Sequence, residues 1–252
     1  MKLLSLARDL RRRKARERSA QFVVEGVRAV EELLRSPLRI RGALIAPQLL
    51  EAPRGAALND ALARAGVTVE TVDHREFASA AETESPQGVL VIADAPARSF
   101  ADLPESSAPL LVLDGVQDPG NVGTILRTAA ALGARATVAL PGTVDIWNAK
   151  VVRSAVGAHF RHYAFHSTWE ELAGFLARTK TALWAATVDG TPVSDATPTG
   201  RIALALGNEG AGLTPAVNAA AVQRVAIPIG EGAESLNVAV AAGILLYALA
   251  PR

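Results

Sequence analysis

Apolar residues fall into two spacings along the chain. Short continuous or alternating runs at 22–24, 38–45, 67–72 and 89–93 predict strands, as do later runs at 110–113, 136–140, 182–188, 202–206 and 225–229. Between them lie segments with the three-to-four spacing of helices: 3–17, 26–34, 56–65, 121–132, 146–156, 169–179 and 236–250. Gly66 and Gly133 stop two of these helices. The stretch 159–165 follows neither spacing. No fixed-period repeat is present. Residues 94–109 gather Pro96, Pro104, Pro109 and three serines, which reads as a linker between two α/β regions. The expected organisation is an amino-terminal domain over 1–95, a linker over 96–108 and a second domain over 109–252. The second pattern alternates apolar strands with helices. It predicts a mostly parallel sheet covered on both faces, whose ligands bind at the carboxyl ends of the strands.

Composition narrows the class. The chain has 252 residues, is 50% hydrophobic and has no cysteine, which removes disulfides, thiolate metal sites and cysteine nucleophiles. The apolar run 236–250 has 15 residues and contains Asn237, against the ~20 needed to span a bilayer. With no signal peptide visible, the cytoplasm is the expected compartment. Charge is uneven: residues 1–18 hold eight Lys/Arg against Asp9 and Glu17, while the remainder has 18 basic and 23 acidic residues. A basic arm on an acidic body points to a polyanion such as RNA or DNA, with a solvated terminal helix as the plain alternative. Aromatics at 4% argue against a base-stacking platform.

Three loops carry candidate chemistry, each after an apolar strand. The first runs from Asp114 through Pro119-Gly120-Asn121 to Arg127. Pro119-Gly120 turns the chain, Asn121 can cap the next helix, and Arg127 stands off its apolar stripe where a guanidinium can clamp a phosphate. The second, Leu206-Gly207-Asn208-Glu209-Gly210-Ala211-Gly212-Leu213, has three glycines in six residues, which suits close approach to a polar small molecule. The third runs from Ile227-Pro228-Ile229 to Ser235-Leu236-Asn237-Val238. Here Ser235 can cap the final helix, with Glu231 and Glu234 complementing its dipole. That helix is apolar on every side, so a second subunit is expected to cover it.

Other templates fail. No G-x-G-x-x-G follows the early strands, and no G-x-S-x-G elbow exists. Gly115 and Gly120 have P-loop spacing, but Asn121 occupies the lysine position. His159, His162 and His166 have helical spacing without a nearby acidic partner in the run, so no metal is expected.

In order and spacing, DPGNVGTILRTAAALGA, LGNEGAGL and IPIGEGAESLNVAVAAGILLY resemble the three signature motifs of the SpoU (TrmH-type) RNA ribose methyltransferases of the SPOUT superfamily. The likeness covers residues 109–251. Phe22-Val-Val-Glu-Gly-Val-Arg28 looks like the opening of the substrate-binding domain often attached to these enzymes. The resemblance implies an α/β chain: a carboxyl-terminal parallel-sheet SPOUT domain with a trefoil knot, plus a smaller amino-terminal α/β RNA-binding domain. It implies S-adenosylmethionine in the knot and a homodimer through the carboxyl-terminal domain. By position, Gly207, Ile227 and Leu236, with Leu206, Thr187 and Pro228, match cofactor-contacting places. Asn121, Arg127, Glu209, Ser235 and Asn237 match catalytic and substrate-positioning places. Ile229 stands where many relatives carry Met, a swap that keeps volume. Arg11, Arg12, Arg13, Lys14 and Arg28 are the expected RNA contacts.

The implied reaction moves a methyl group from S-adenosylmethionine to a ribose 2′-hydroxyl, a group DNA lacks. A guanidinium is a poor base, so Arg127 is expected to bind the neighbouring phosphate and stabilise the developing alkoxide. An attached amino-terminal domain favours ribosomal RNA over transfer RNA. A silent RNA-binding or assembly protein, methylation of a base, and a nucleotide-binding α/β enzyme stay open as alternatives.

Overall fold

The computed structural model describes residues 2–103, 106–230 and 232–250. The chain divides into two units, Met1–Ala97 with Trp147–Arg161, and Arg98–Ile146 with His162–Arg252.

The first unit opens with α1 (Leu3–Asp9) and α2 (Arg13–Ser19), where the sequence pattern predicts one helix over 3–17. The break has a physical cause. Buried Arg16 folds back and donates to the Leu10 and Arg11 carbonyl oxygens at 2.8 and 2.9 Å, satisfying acceptors that a continuing helix would need. Then come β1 (Gln21–Glu25), α3 (Val27–Leu34), β2 (Ile40–Ile45), α4 (Pro53–Arg64), β3 (Val69–Thr71), α5 (His74–Ala80) and β4 (Val89–Asp94). The strands lie in the order β1-β4-β2-β3, with only β2 and β3 parallel. Alternate residues serve two cores. Phe22, Val24, Val89 and Val91 join one, and Val23, Leu90 and Ile92 join the other with Phe77 of α5. Burial on both faces is why these strands read as unbroken apolar runs. Helix α5 escaped the periodicity because it is short. Its signal is the Asp73/Glu76 capping box.

The second unit begins with β5 (Leu110–Asp114), α6 (Pro119–Ala131) and β6 (Ala136–Ala139). Helix α7 (Ala149–Ala155) follows, and it does not stay with this unit. The sequence pattern places 146–156 with the second run of elements. In the structure Val152 and Phe160 enter the core of the first unit beside Phe22 and Val24. The Trp147 ring lies 4.4 Å from that of Phe22. The second unit resumes with β7 (Ala164–His166), α8 (Trp169–Thr179), β8 (Ala182–Pro192), β9 (Ile202–Gly207), α9 (Pro215–Ala220), β10 (Gln223–Ala226) and α10 (Val238–Leu249). Its six strands run β10-β8-β9-β5-β6-β7, every pair parallel as the pattern predicts. Helix α10 packs back against α6. This strand order and return agree with the knotted domain that the resemblance implies. Strands β5 and β9 are neighbours, and Asp114 pairs with Gly207 at their carboxyl ends. The first two candidate loops therefore emerge side by side.

Candidate active site

The loop after β9 is held by its own polar groups. The Asn208 and Gly212 backbones exchange two hydrogen bonds of 2.9 Å. The Asn208 side-chain oxygen accepts from the Gly210 and Ala211 N–H groups at 2.9 Å. Its amide donates to the Gly115 carbonyl oxygen at 2.9 Å, tying this loop to the one after β5. Buried Asp114 adds a second tie by accepting from the Thr214 N–H at 2.6 Å. The fold is tight enough to require a glycine. A Cβ on Gly207 would stand 2.4 Å from the Gly212 carbonyl carbon and 2.6 Å from the Leu213 nitrogen.

The third loop joins through three side chains. Asn237 donates to the Asn121 side-chain oxygen at 2.9 Å, and Asn121 donates to a Glu209 carboxylate oxygen at 2.7 Å. One relay thus spans the start of α10, the first turn of α6 and the loop after β9. Two capping expectations are corrected by the same geometry. Asp118, not Asn121, caps α6 by accepting from the Asn121 N–H at 2.7 Å, because Pro119 occupies the first helical position and sets the cap one residue earlier. Asn237, not Ser235, caps α10 by accepting from the Ala239 and Val240 N–H groups at 2.9 and 3.3 Å. Ser235 and Glu234 are exposed; Glu231 lies outside the described residues.

A cavity of about 510 Å³ opens beside this framework. Thr187, Leu206, Gly207, Ile227 and Leu236 line it, as do Glu209 and Ser235. Pro228 is not among the lining residues. Asp189 and Arg224 also reach it and face each other at 3.6 Å. The lining suits a nucleoside-sized ligand: mostly apolar walls with a few polar groups. The Thr187 hydroxyl oxygen is buried without a hydrogen-bond partner among the described residues. A buried hydroxyl left unpaired is costly, and a ligand polar atom would satisfy it. The cavity therefore fits a methyl-donor nucleoside such as S-adenosylmethionine.

Arg127 sits on the exposed row of α6 that runs from Asn121 through Thr124. Among the described residues its guanidinium has no hydrogen-bond or ion-pair partner. In the first unit the basic arm is largely committed. Arg12 pairs with Asp9, Arg13 with Glu17 at 2.7 Å, and Arg11 donates to the Ser79 carbonyl oxygen at 3.3 Å. Lys14 and Arg28 are exposed. Of the helically spaced His159, His162 and His166, His162 bonds Thr137 at 2.9 Å and His166 accepts from the Ile146 N–H at 3.2 Å. Among the described residues no group of three His, Cys, Asp or Glu is placed to hold a metal ion.

Sequence reasoning missed Asn208, Asp114 and Asp118. Asp118 had a signal, a capping residue directly before Pro119. The other two act across loops distant in sequence.

A parallel sheet with a glycine-bound nucleoside cavity at adjoining strand ends, and a last helix returned onto the first helix of the sheet domain, defines a SPOUT-type methyltransferase domain. The family model described as the SpoU rRNA Methylase family matches residues 108–247, and that of the MRM3-like substrate binding domain matches residues 5–91. The 23S rRNA (guanosine(2553)-2′-O)-methyltransferase RlmP of Bacillus subtilis is 32% identical over 248 residues, covering 96% of this chain and 93% of that protein. The structure of the SpoU methyltransferase AviRb from Streptomyces viridochromogenes in complex with the cofactor AdoMet superposes with a TM-score of 0.86 at 27% identity, covering 97% of this chain and 95% of that one. An AdoMet-bound rRNA methyltransferase from Sinorhizobium meliloti superposes with a TM-score of 0.84 at 26% identity, over 98% and 93% of the two chains. The chain belongs to the SpoU rRNA methylase family.

Proposed function

We propose that this chain transfers a methyl group from S-adenosylmethionine to a ribose 2′-hydroxyl of ribosomal RNA. The observation that carries the reading is the relay from Asn237 through Asn121 to Glu209, which brings all three loops to one cavity rim. Ribosomal RNA is favoured over transfer RNA because the full-length relative modifies 23S rRNA and residues 5–91 match an MRM3-like substrate-binding domain.

The cofactor supplies an electrophilic methyl group on a sulfonium. The chain's own residues do the rest. Leu206, Gly207, Ile227 and Leu236 present backbone and apolar surface to the nucleoside, and Thr187 offers its unpaired hydroxyl. Asn121 is fixed at both ends of its amide by Asn237 and Glu209, so its orientation is set before RNA arrives. Arg127 is free to clamp a phosphate and to stabilise charge growing on the sugar oxygen. Ser235 lines the cavity and is available to the target nucleotide. Arg11, Arg12, Arg13, Lys14 and Arg28 contribute long-range attraction for RNA.

The working form is a homodimer. Val240, Ile244 and Tyr247 of α10 are 51%, 40% and 75% exposed and lie on one stripe of the helix. An apolar stripe of this kind is covered by a second copy. The enzyme works in the cytoplasm. Among the described residues no helix is long and apolar enough to cross a membrane.

The test is Arg127→Ala, with methyl transfer to rRNA and cofactor binding measured separately. Loss of such an electrostatic contact lowers turnover by ~10²–10³-fold, with cofactor affinity unchanged. A normal transfer rate would remove Arg127 from the mechanism, and lost cofactor binding would move it to the cofactor pocket.

A further inference from the structure

The first unit is more basic than its amino-terminal sequence suggests, because the segment Trp147–Arg161 folds into it. Residues 1–97 hold 15 Lys/Arg and 13 Asp/Glu, a net of +2. Residues 147–161 add Lys150, Arg153 and Arg161 with no acidic residue, raising the unit to +5. The other unit, with eight basic and 12 acidic residues, is left at −4. The segment is firmly built in: Val152 and Phe160 lie in the first unit's core, and Arg161 pairs with Glu32 at 3.0 Å.

The three added cations are not equivalent. Arg161 is spent on Glu32 and the Arg35 carbonyl oxygen. Lys150 and Arg153 are exposed and three residues apart on α7, on the side opposite buried Val151, Val152 and Ala155. Among the described residues neither side chain has a hydrogen-bond or ion-pair partner. Helix α7 starts beside the arm: Ala149 and Trp147 line one narrow cleft with Arg11 and Arg16. Glu82 is the acidic residue of that cleft. Arg153 follows Ala149 by one helical turn. By contrast, Arg12 and Arg13 of the arm are ion-paired with Asp9 and Glu17.

We infer that Lys150 and Arg153 of α7, together with the neighbouring arm, form a composite surface that binds the RNA phosphate backbone. The inference rests on the proposed RNA methyltransferase reading and deepens it. An RNA backbone is the partner chosen because Lys150 and Arg153 are uncommitted and spaced along a helix face beside a basic arm, with no apolar insertion surface between them. In this arrangement part of the RNA-binding surface is encoded inside the methylase sequence, and removal of residues 1–95 would leave α7 without its core.

The test is filter binding of the full chain to an in vitro transcript of 23S rRNA over a salt series. In Lys150→Gln/Arg153→Gln the slope of log K against log salt should be shallower by about one to two, since each cation contributes ~0.7–0.9. Affinity near 0.15 M salt should fall ~10-fold, with S-adenosylmethionine affinity unchanged. Lys150→Arg/Arg153→Lys should restore the slope. An unchanged slope in the Gln variant, or no recovery in the charge-conserving one, overturns the inference. A wild-type chain that fails to bind the transcript while retaining the cofactor overturns the rRNA reading, and this surface with it.

Discussion

Replacing Gly207 by Ala tests the cavity at its most constrained point. The added Cβ would sit 2.4 Å from the Gly212 carbonyl carbon, 2.6 Å from its oxygen and 2.6 Å from the Leu213 nitrogen. All three are backbone atoms, so no side chain can swing aside and the loop itself must move. Overpacking of this kind costs ~1–3 kcal/mol. Two limits follow. If the strain stays in the unliganded fold, the melting temperature falls by roughly 2–4 °C per kcal/mol for a chain of this size. If the loop relaxes outward, Gly207 and Leu206 leave their proposed cofactor-contacting position, and the same energy appears as ~5–150-fold weaker binding. Isothermal titration with S-adenosylmethionine and thermal unfolding on one preparation read both. Gly210→Ala is the control, because its Cβ would meet only the Asn208 side-chain oxygen at 3.6 Å, an ordinary contact. Wild-type affinity together with a wild-type melting temperature in Gly207→Ala would refute the claim that this bend is held closed against Gly212.

Two further outcomes are expected. Burial, with Arg98 adding to it, lowers the pKa of His162 to about 4. The unfolded chain therefore takes up the proton first as pH falls. Stability should be complete above ~6.5 and fall by ~3 kcal/mol between there and pH 4. Denaturant unfolding across that range should lose this slope in His162→Gln, and an unchanged slope would remove His162 as its source. On the proposed dimer face, Ile244→Asp puts a charge in the centre of the α10 stripe. Sedimentation should show a monomer, whereas a dimer as tight as wild type would place the interface elsewhere.

Much of the fold was legible because both sheets are buried on two faces. Strands such as 110–113 and 202–206 leave no polar alternation to confuse the pattern. Helix α8 is bounded at 169–179 as read, since Thr168 and Glu171 form a capping box at its start. What failed was set by partners outside the window being read. The helix over 3–17 breaks because Arg16 returns to carbonyl oxygens of its own approach turn. Helix α7 joins the first unit because Trp147 and Phe160 meet Phe22, more than a hundred residues earlier. In the site, motif order pointed to three loops that the structure brings together. Periodicity cannot show that Asn237 bonds Asn121 across 116 positions, or that Asn208 anchors one loop on the other.

The misassigned caps explain how the site is assembled. A side-chain oxygen that caps a helix is occupied by backbone N–H groups and has little left for another loop. Asp118 takes that duty at α6, so both ends of the Asn121 amide are free to bridge Asn237 and Glu209. Asn237 divides its amide instead: the oxygen caps α10 and the nitrogen bridges. Removing Asn237 would therefore delete a cap worth ~1 kcal/mol along with the bridge, mixing helix stability with site geometry. Removing the Asn121 side chain leaves both caps in place and breaks only the relay. Asn121, in the middle of the three loops, is thus the position where site geometry can be separated from folding. The helix that Asn237 caps also carries Val240, Ile244 and Tyr247, so the proposed dimer stripe and the relay share one rigid element, and a subunit contact there would fix the third loop as well as cover an apolar face.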